Sequence, residues 1–137
     1  MRSNKFRGIG IDTEEWAYGY FTECEEEADN GCIGHLYKRI TIKLPYIVNL
    51  KNEATMVKPE TVGQSTGLPD RNGKEIFDGD VVIVIYDDGF DEKLNVEWNN
   101  SKLRFILYNE NNGNKYSFDS TLSERITVIG NIHEVSK

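Results

Sequence analysis

Three carboxylates stand close together in one short stretch of this chain, Glu75, Asp78 and Asp80, the last two on either side of Gly79. Carboxylates this near in sequence suit two chemistries. They can hold a divalent metal for hydrolysis, or divide acid and base roles between groups whose pKa values are driven apart. They also suit a purely conformational task, because Asp and Gly at a strand entrance are what a tight corner demands: the acid bonds nearby amides and the glycine accepts a positive φ. The surrounding residues favour the conformational task. Gly67, Asp70, Asn72 and Gly73 complete a run, Gln64 to Val84, whose turn chemistry is denser than anywhere else in the sequence. Asn72-Gly73 predicts the tip of a tight reversal with positive φ at successive positions. Gly79 predicts a second corner that launches the apolar run Val81 to Ile85. We therefore expect Gly67, Asp70, Asn72, Gly73, Asp78, Gly79 and Asp80 to be structural, with no catalytic residue, cofactor or metal among them.

Other chemistry is thinner. Cys24, Cys32 and His35 are soft metal ligands in an acidic setting, but zinc favours four ligands and paired spacings such as Cys-x-x-Cys, and no fourth ligand is evident. Asp70-Arg71-Asn72-Gly73 has glycine fourth, where a calcium loop of the EF-hand type needs it sixth. Phosphate-binding, dinucleotide-binding, nucleophile-elbow and His-Glu-x-x-His motifs are missing. His133 follows the last predicted strand, where a lone imidazole reads as a surface residue.

Composition narrows the partners. The net charge of −7 over 137 residues opposes the sequence-independent attraction to phosphate on which non-specific nucleic-acid binding depends. No apolar run approaches the ~20 residues of a bilayer-crossing helix, and two cysteines make no disulfide framework. These features predict a protein of the cytoplasm without a membrane partner.

The central stretch also carries a resemblance. Thr66-Gly67-Leu68, then Asp70-Arg71-Asn72-Gly73-Lys74-Glu75-Ile76, then Asp78-Gly79-Asp80 before β-branched residues, resembles the signature of the YopX family of phage and prophage proteins. Lys5-Phe6-Arg7-Gly8 and Trp16-Ala17-Tyr18-Gly19-Tyr20 resemble the family's opening, Pro59 to Gln64 its centre, and Val128 to Ile132 its closing strand. Glu23 to Val57 resembles nothing. The resemblance implies an all-β protein with an SH3-like barrel in its C-terminal part; with the composition, it makes the cytoplasm of a host cell the expected place. It implies no reaction.

The elements that position these residues read as strands joined by short polar turns. Two strands flank Asp12-Thr13-Glu14, and the second places Trp16, Tyr18 and Tyr20 on one face, which predicts an apolar face packed on a core. Residues 23–34 hold Glu23, Glu25, Glu26, Glu27 and Asp29, and like charges this dense predict a solvated loop. Leu36 to Leu44 alternates as a half-buried strand that Pro45 ends or edges. Residues 49–58 show no periodicity. Val81 to Ile85 predicts a strand buried on both sides. Lys93 to Trp98 and Leu103 to Tyr108 form a hairpin, Tyr116 to Phe118 a short strand, Ser120 to Ser123 a single turn, and Arg125 to Ile132 the last strand. We expect an N-terminal β region, 1–62, with an acidic loop at 23–34, packed on a C-terminal SH3-like β-barrel, 63–137.

The function expected from this is non-enzymatic binding of a host or phage protein through aromatic strands, with self-association through an open sheet edge as a further possibility. A variant has the acidic residues Glu23, Glu25 and Asp29 imitating nucleic acid. The alternatives are nucleic-acid binding by the barrel through Lys93, Lys102 and Arg104, and a metal-dependent hydrolase built on Asp78 and Asp80.

Overall fold

The structure, a computed structural model, describes residues 5–33 and 36–133, and within 27–40 it describes the backbone alone. The chain divides into two compact units, Lys5–Val62 and the described residues from Gly63 onward. Every strand pairing within them is antiparallel.

The N-terminal unit holds β1 (Phe6–Ile9), β2 (Trp16–Ile33), β3 (Leu36–Val48) and β4 (Ala54–Met56), in the order β4-β3-β2-β1, then a 3-10 turn at Pro59–Thr61. Its core is small, centred on the fully buried Ile47 and Val57. Gly8 allows Val57 to close in, since a Cβ there would lie 3.0 Å from the valine side chain. The Thr61 hydroxyl accepts the Ile9 N–H at 2.9 Å and donates to the Lys58 carbonyl at 2.6 Å, which fastens the 3-10 turn to β1. Residues 49–53, left without periodicity, turn on Asn49, whose Oδ1 accepts the N–H groups of Lys51 and Glu53.

The acidic loop expected at 23–34 is not a loop. β2 runs through it to Ile33 and pairs with β3 from Tyr20↔Val48 to Ile33↔Leu36, with a register shift between Asp29 and Cys32. The register explains why so charged a segment can be a strand, because Glu25 stands opposite Lys43 and Asp29 opposite Arg39, and opposite charges across an antiparallel pair are favourable. From Glu23↔Pro45 outward, the two strands pair with each other alone among the described residues. Pro45 does not end β3 either; it is buried within the strand, and its carbonyl accepts the Val57 N–H at 3.1 Å. Gly34 and His35 lie outside the described residues.

The C-terminal unit holds the hairpin β5 (Gly63–Pro69) and β6 (Glu75–Phe77), then β7 (Asp80–Ile85), β8 (Asp91–Asn99), β9 (Arg104–Tyr108), β10 (Lys115–Ser117), the single-turn helix α1 (Ser120–Ser123) and β11 (Ile126–Asn131). The last five strands form a sheet ordered β10-β9-β8-β7-β11. One face of it makes the core: Val82, Val84, Leu94, Val96, Leu107 and Ile126 are buried together with Ile76 of β6. Side chains of this size contribute about 1.5–3 kcal/mol each on burial. Two expectations are corrected here. Val82 and Val84 are buried while Val81 and Ile83 are half-buried and Ile85 is exposed, so β7 is covered mainly on one face. The sheet also does not close into a barrel, and an SH3-like closure is not what holds it. β10 is only three residues long and among the described residues pairs with β9 alone, and the outer edge of β11 meets a turn: the Arg71 N–H donates to the Ile126 carbonyl at 2.8 Å. Tyr86, Phe105, Tyr116, Phe118 and Leu122 are half-buried and pack against this core.

Candidate functional site

The residues singled out by turn chemistry fall at two fastenings of the C-terminal unit. The first is the β5–β6 turn. Gly73 has φ +85° but Asn72 does not reach positive φ, so the turn is not the doubly left-handed type expected of Asn-Gly. Asp70 is the reason. Its Oδ1 accepts the N–H groups of Asn72 and Lys74 at 2.8 and 2.9 Å, and the Asp70 carbonyl accepts the Gly73 N–H, which holds Arg71 and Asn72 in a type I turn before a left-handed glycine. Asp70 Oδ2 then accepts the Val128 N–H of β11 at 3.0 Å. Burial works to raise the pKa of this carboxylate, but the amides of Val128, Lys74 and Asn72 and the Lys74 charge outweigh it and hold the pKa below its ordinary value. Gly67 sits with φ +79° where the β5–β6 register slips.

The second fastening is the corner into β7. Gly79 has φ +90°, donates its N–H to the Val96 carbonyl and accepts the Ile132 N–H on its own carbonyl, both at 2.9 Å. Asp80 is buried, and its Oδ2 accepts the Phe77 N–H at 2.8 Å across the corner. Asp78 donates its N–H to the Gln64 carbonyl, and the Ser65 hydroxyl donates to Glu75 Oε2. Glu75 and Asp80 are thus engaged with separate donors. Among the described residues, no three His, Cys, Asp or Glu side chains are placed to hold one metal ion. Cys24 is an exposed free thiol; the side chains of Cys32 and His35 lie outside the description.

A partly exposed aromatic surface lies on the N-terminal unit. Trp16, Tyr18 and Tyr20 do share one face of β2, and Trp16 is half-buried, but Tyr18 and Tyr20 are 44% and 52% exposed, so only one end of this face is packed as expected. Arg7 stands opposite Tyr18 in β1, and its guanidinium lies 4.2 Å from the centre of the Trp16 ring, while Lys5 Nζ lies 5.6 Å from that of Tyr18. Arg7 is buried, so its contact with Trp16 belongs with desolvated pairs of about 2 kcal/mol, whereas that of Lys5 with the exposed Tyr18 contributes about 0.5–1 kcal/mol. The register puts Val48 opposite Tyr20 and Tyr46 opposite Thr22, so half-buried apolar side chains continue the face onto β3.

Two further features escape the sequence. Glu92 takes three hydrogen bonds, from Asn109 Nδ2 at 2.6 Å, the Tyr86 hydroxyl at 2.9 Å and the Tyr116 hydroxyl at 3.2 Å, beside a depression of about 430 Å³ floored by Val84, Leu94 and Leu107. The Asn109 bond, with help from both tyrosines, lowers the Glu92 pKa, and burial together with Glu92 pushes the Tyr86 hydroxyl up to about 12. No spacing signals this group, because the β7–β8 and β8–β9 registers bring its members together. At the other end of the β8–β9 hairpin, Trp98 and Phe105 meet edge to face with centroids 5.0 Å apart, and the Trp98 Nε1–H donates to Asn100 Oδ1 at 2.8 Å. They line a groove of about 320 Å³ with Leu68, Leu103, Arg104 and Phe118. Of the three cations named from the sequence, Arg104 lines this groove and Lys102 flanks it in the turn, whereas Lys93 lies further back along β8.

These observations define an all-β protein with two compact units, turn residues that fasten backbone, and exposed aromatic surfaces. The family model described as YopX protein matches residues 5–137, and the chain belongs to that family. No curated protein matches it in sequence. No helix among the described residues is long and apolar enough to cross a membrane.

Proposed function

We propose that this chain is a non-enzymatic accessory protein of a phage or prophage that acts in the host cytoplasm by binding another protein. The observation that carries the reading is the row Trp16, Tyr18 and Tyr20, in which the half-buried Trp16 is held by Arg7 and the two tyrosines beside it are exposed on the strand. Large, rigid aromatic side chains with a polar tip are the residues that anchor protein interfaces, because they bury much area at little cost in conformational freedom. The turn motif supports the same reading from the other side: Asp70, Gly79 and Asp80 are engaged with backbone groups of their own chain.

The test is a paired capture from lysate of a host cell carrying the gene, using wild type and a Tyr18→Ser/Tyr20→Ser variant. The expected result is a partner retained by the first and lost from the second at equal thermal stability. If no protein distinguishes the two, the reading fails. Binding of nucleic acid is the second reading, favoured by Lys102 and Arg104 beside Trp98 and Phe105. It requires gel shifts that weaken steeply with salt, against a chain of net charge −7.

A further inference from the structure

The groove at the end of the β8–β9 hairpin lies within the C-terminal unit and owes nothing to the aromatic row of β2. Its rim carries Leu103, 73% exposed and held at φ +53°. That left-handed conformation favours glycine or asparagine, so a branched apolar residue there is an outlier that the fold does not need. The neighbouring side chains are already ordered. Trp98 is fixed by Phe105 on one edge and by Asn100 at its indole N–H, and Leu68 and Phe118 are half-buried beside them. Lys102 and Arg104 are exposed, and neither has a carboxylate partner among the described residues. These two cations stand next to a concave apolar surface.

We propose that this groove binds an extended segment of another protein, in which one large apolar side chain seats against Trp98, Leu103 and Phe105 and flanking carboxylates meet Lys102 and Arg104. Charge complementarity sets the partner's sign, and the size of the groove sets a single anchor. A nucleic-acid strand fits less well. The indole is half-buried and edge-packed, so it offers no open stacking platform, and two cations match a pair of carboxylates better than a run of phosphates in a chain of net charge −7.

The test uses fluorescence polarisation with fluorescein-labelled seven-residue peptides, each with one central Leu, Met, Phe, Tyr or Trp flanked by Asp and Glu. The comparison probes replace the central residue by Ala, replace the acids by Lys, or substitute a heptamer of thymidylate. At least one acidic peptide is expected to saturate with Kd on the order of 100 µM at low salt, and its Ala version to bind at least about tenfold more weakly. Lys102→Glu/Arg104→Glu is expected to abolish that binding and to accept the Lys peptide. Leu103→Gly is the decisive variant, since glycine suits φ +53°: it should weaken binding about fivefold with thermal stability unchanged or raised. The proposal is overturned if no acidic peptide saturates, if Leu103→Gly binds like wild type, or if thymidylate binds more tightly than every peptide. It is equally overturned if sedimentation shows a dimer that Leu103→Gly dissociates, which would make the groove a contact between copies.

Discussion

Replacing Asp70 should expose how much of the C-terminal unit depends on one carboxylate. In Asp70→Ala, three backbone N–H groups lose their acceptor. Those of Asn72 and Lys74 lie in an exposed turn and can turn to water, so each costs about 0.5 kcal/mol; the Val128 N–H lies at a half-buried edge of β11 and costs about 1–3 kcal/mol if left unmet. The sum is about 3 kcal/mol, a large share of the 5–15 kcal/mol typical of a domain. With a urea m-value of about 2 kcal/mol/M, the unfolding midpoint should fall by roughly 1.5 M with m unchanged. Asp70→Asn keeps one acceptor but turns an NH₂ towards a donor, and should lose about 2 kcal/mol. Protonation adds an independent check. The folded pKa of Asp70 lies below its ordinary 3.8, so its contribution is fully present above the unfolded pKa and is lost as pH falls through the folded one. The gap between wild type and Asp70→Asn, measured by equilibrium urea unfolding with tryptophan fluorescence and far-UV circular dichroism, should therefore be full at pH 7 and shrink below about pH 4. A gap under about 0.5 kcal/mol at pH 7, or one that does not change on acidification, would refute the fastening.

Gly79→Ala and Gly73→Ala both place a methyl group at positive φ, but Gly73 has no atom near the added carbon and Gly79 is bonded on both sides, to Val96 of β8 and to Ile132 just after β11. Gly73→Ala should cost about 1 kcal/mol and Gly79→Ala at least about 2 kcal/mol, read from the same urea curves. Gly19→Ala should disrupt the β2–β3 pairing at its base, because its Cβ would stand 1.9 Å from the Val48 carbonyl oxygen; loss of β-signal in circular dichroism, or insoluble protein, is the expected result. Tyr86, raised from 10.0 to about 12, favours the fold below pH 10 and stops doing so as pH rises through about 12. Glu92→Gln should bring its ionisation down, seen as tyrosinate absorbance appearing at lower pH than in wild type.

How far the fold could be read from the chain depends on what kind of signal each segment carries. Leu94, Val96 and Trp98 alternate with polar residues, and that period of two placed β8 correctly, as the turn residues around Gly73 and Gly79 located the bends. Val81 to Ile85 misled because a run of β-branched residues has the same composition whether one or two faces are covered. Residues 23–33 misled for a related reason. Local charge density says that a segment must be solvated, but a strand in a two-stranded ribbon is solvated too, and the cations that make it tolerable, Lys43 and Arg39, lie on the returning strand. The Glu92 group was invisible because its donors stand 6, 17 and 24 residues away, distances that only the hairpin registers convert into contacts.

The candidate surfaces expose a sharper limit. An alternating Trp16, Tyr18, Tyr20 has one and the same sequence signal whether it faces a core or solvent, and the small core around Ile47 and Val57 explains why Tyr18 and Tyr20 face solvent here: the unit has too little interior to hide all of a second face. In the five-stranded sheet the aromatic side chains Tyr86, Phe105, Tyr116 and Phe118 instead find a core to pack against and are half-buried. Exposed aromatic surface in this chain therefore follows from how its strands are paired. Turn residues fix that pairing by bending the backbone at Gly73 and Gly79, while the exposed Tyr18 and Tyr20 lie outside the turn motif.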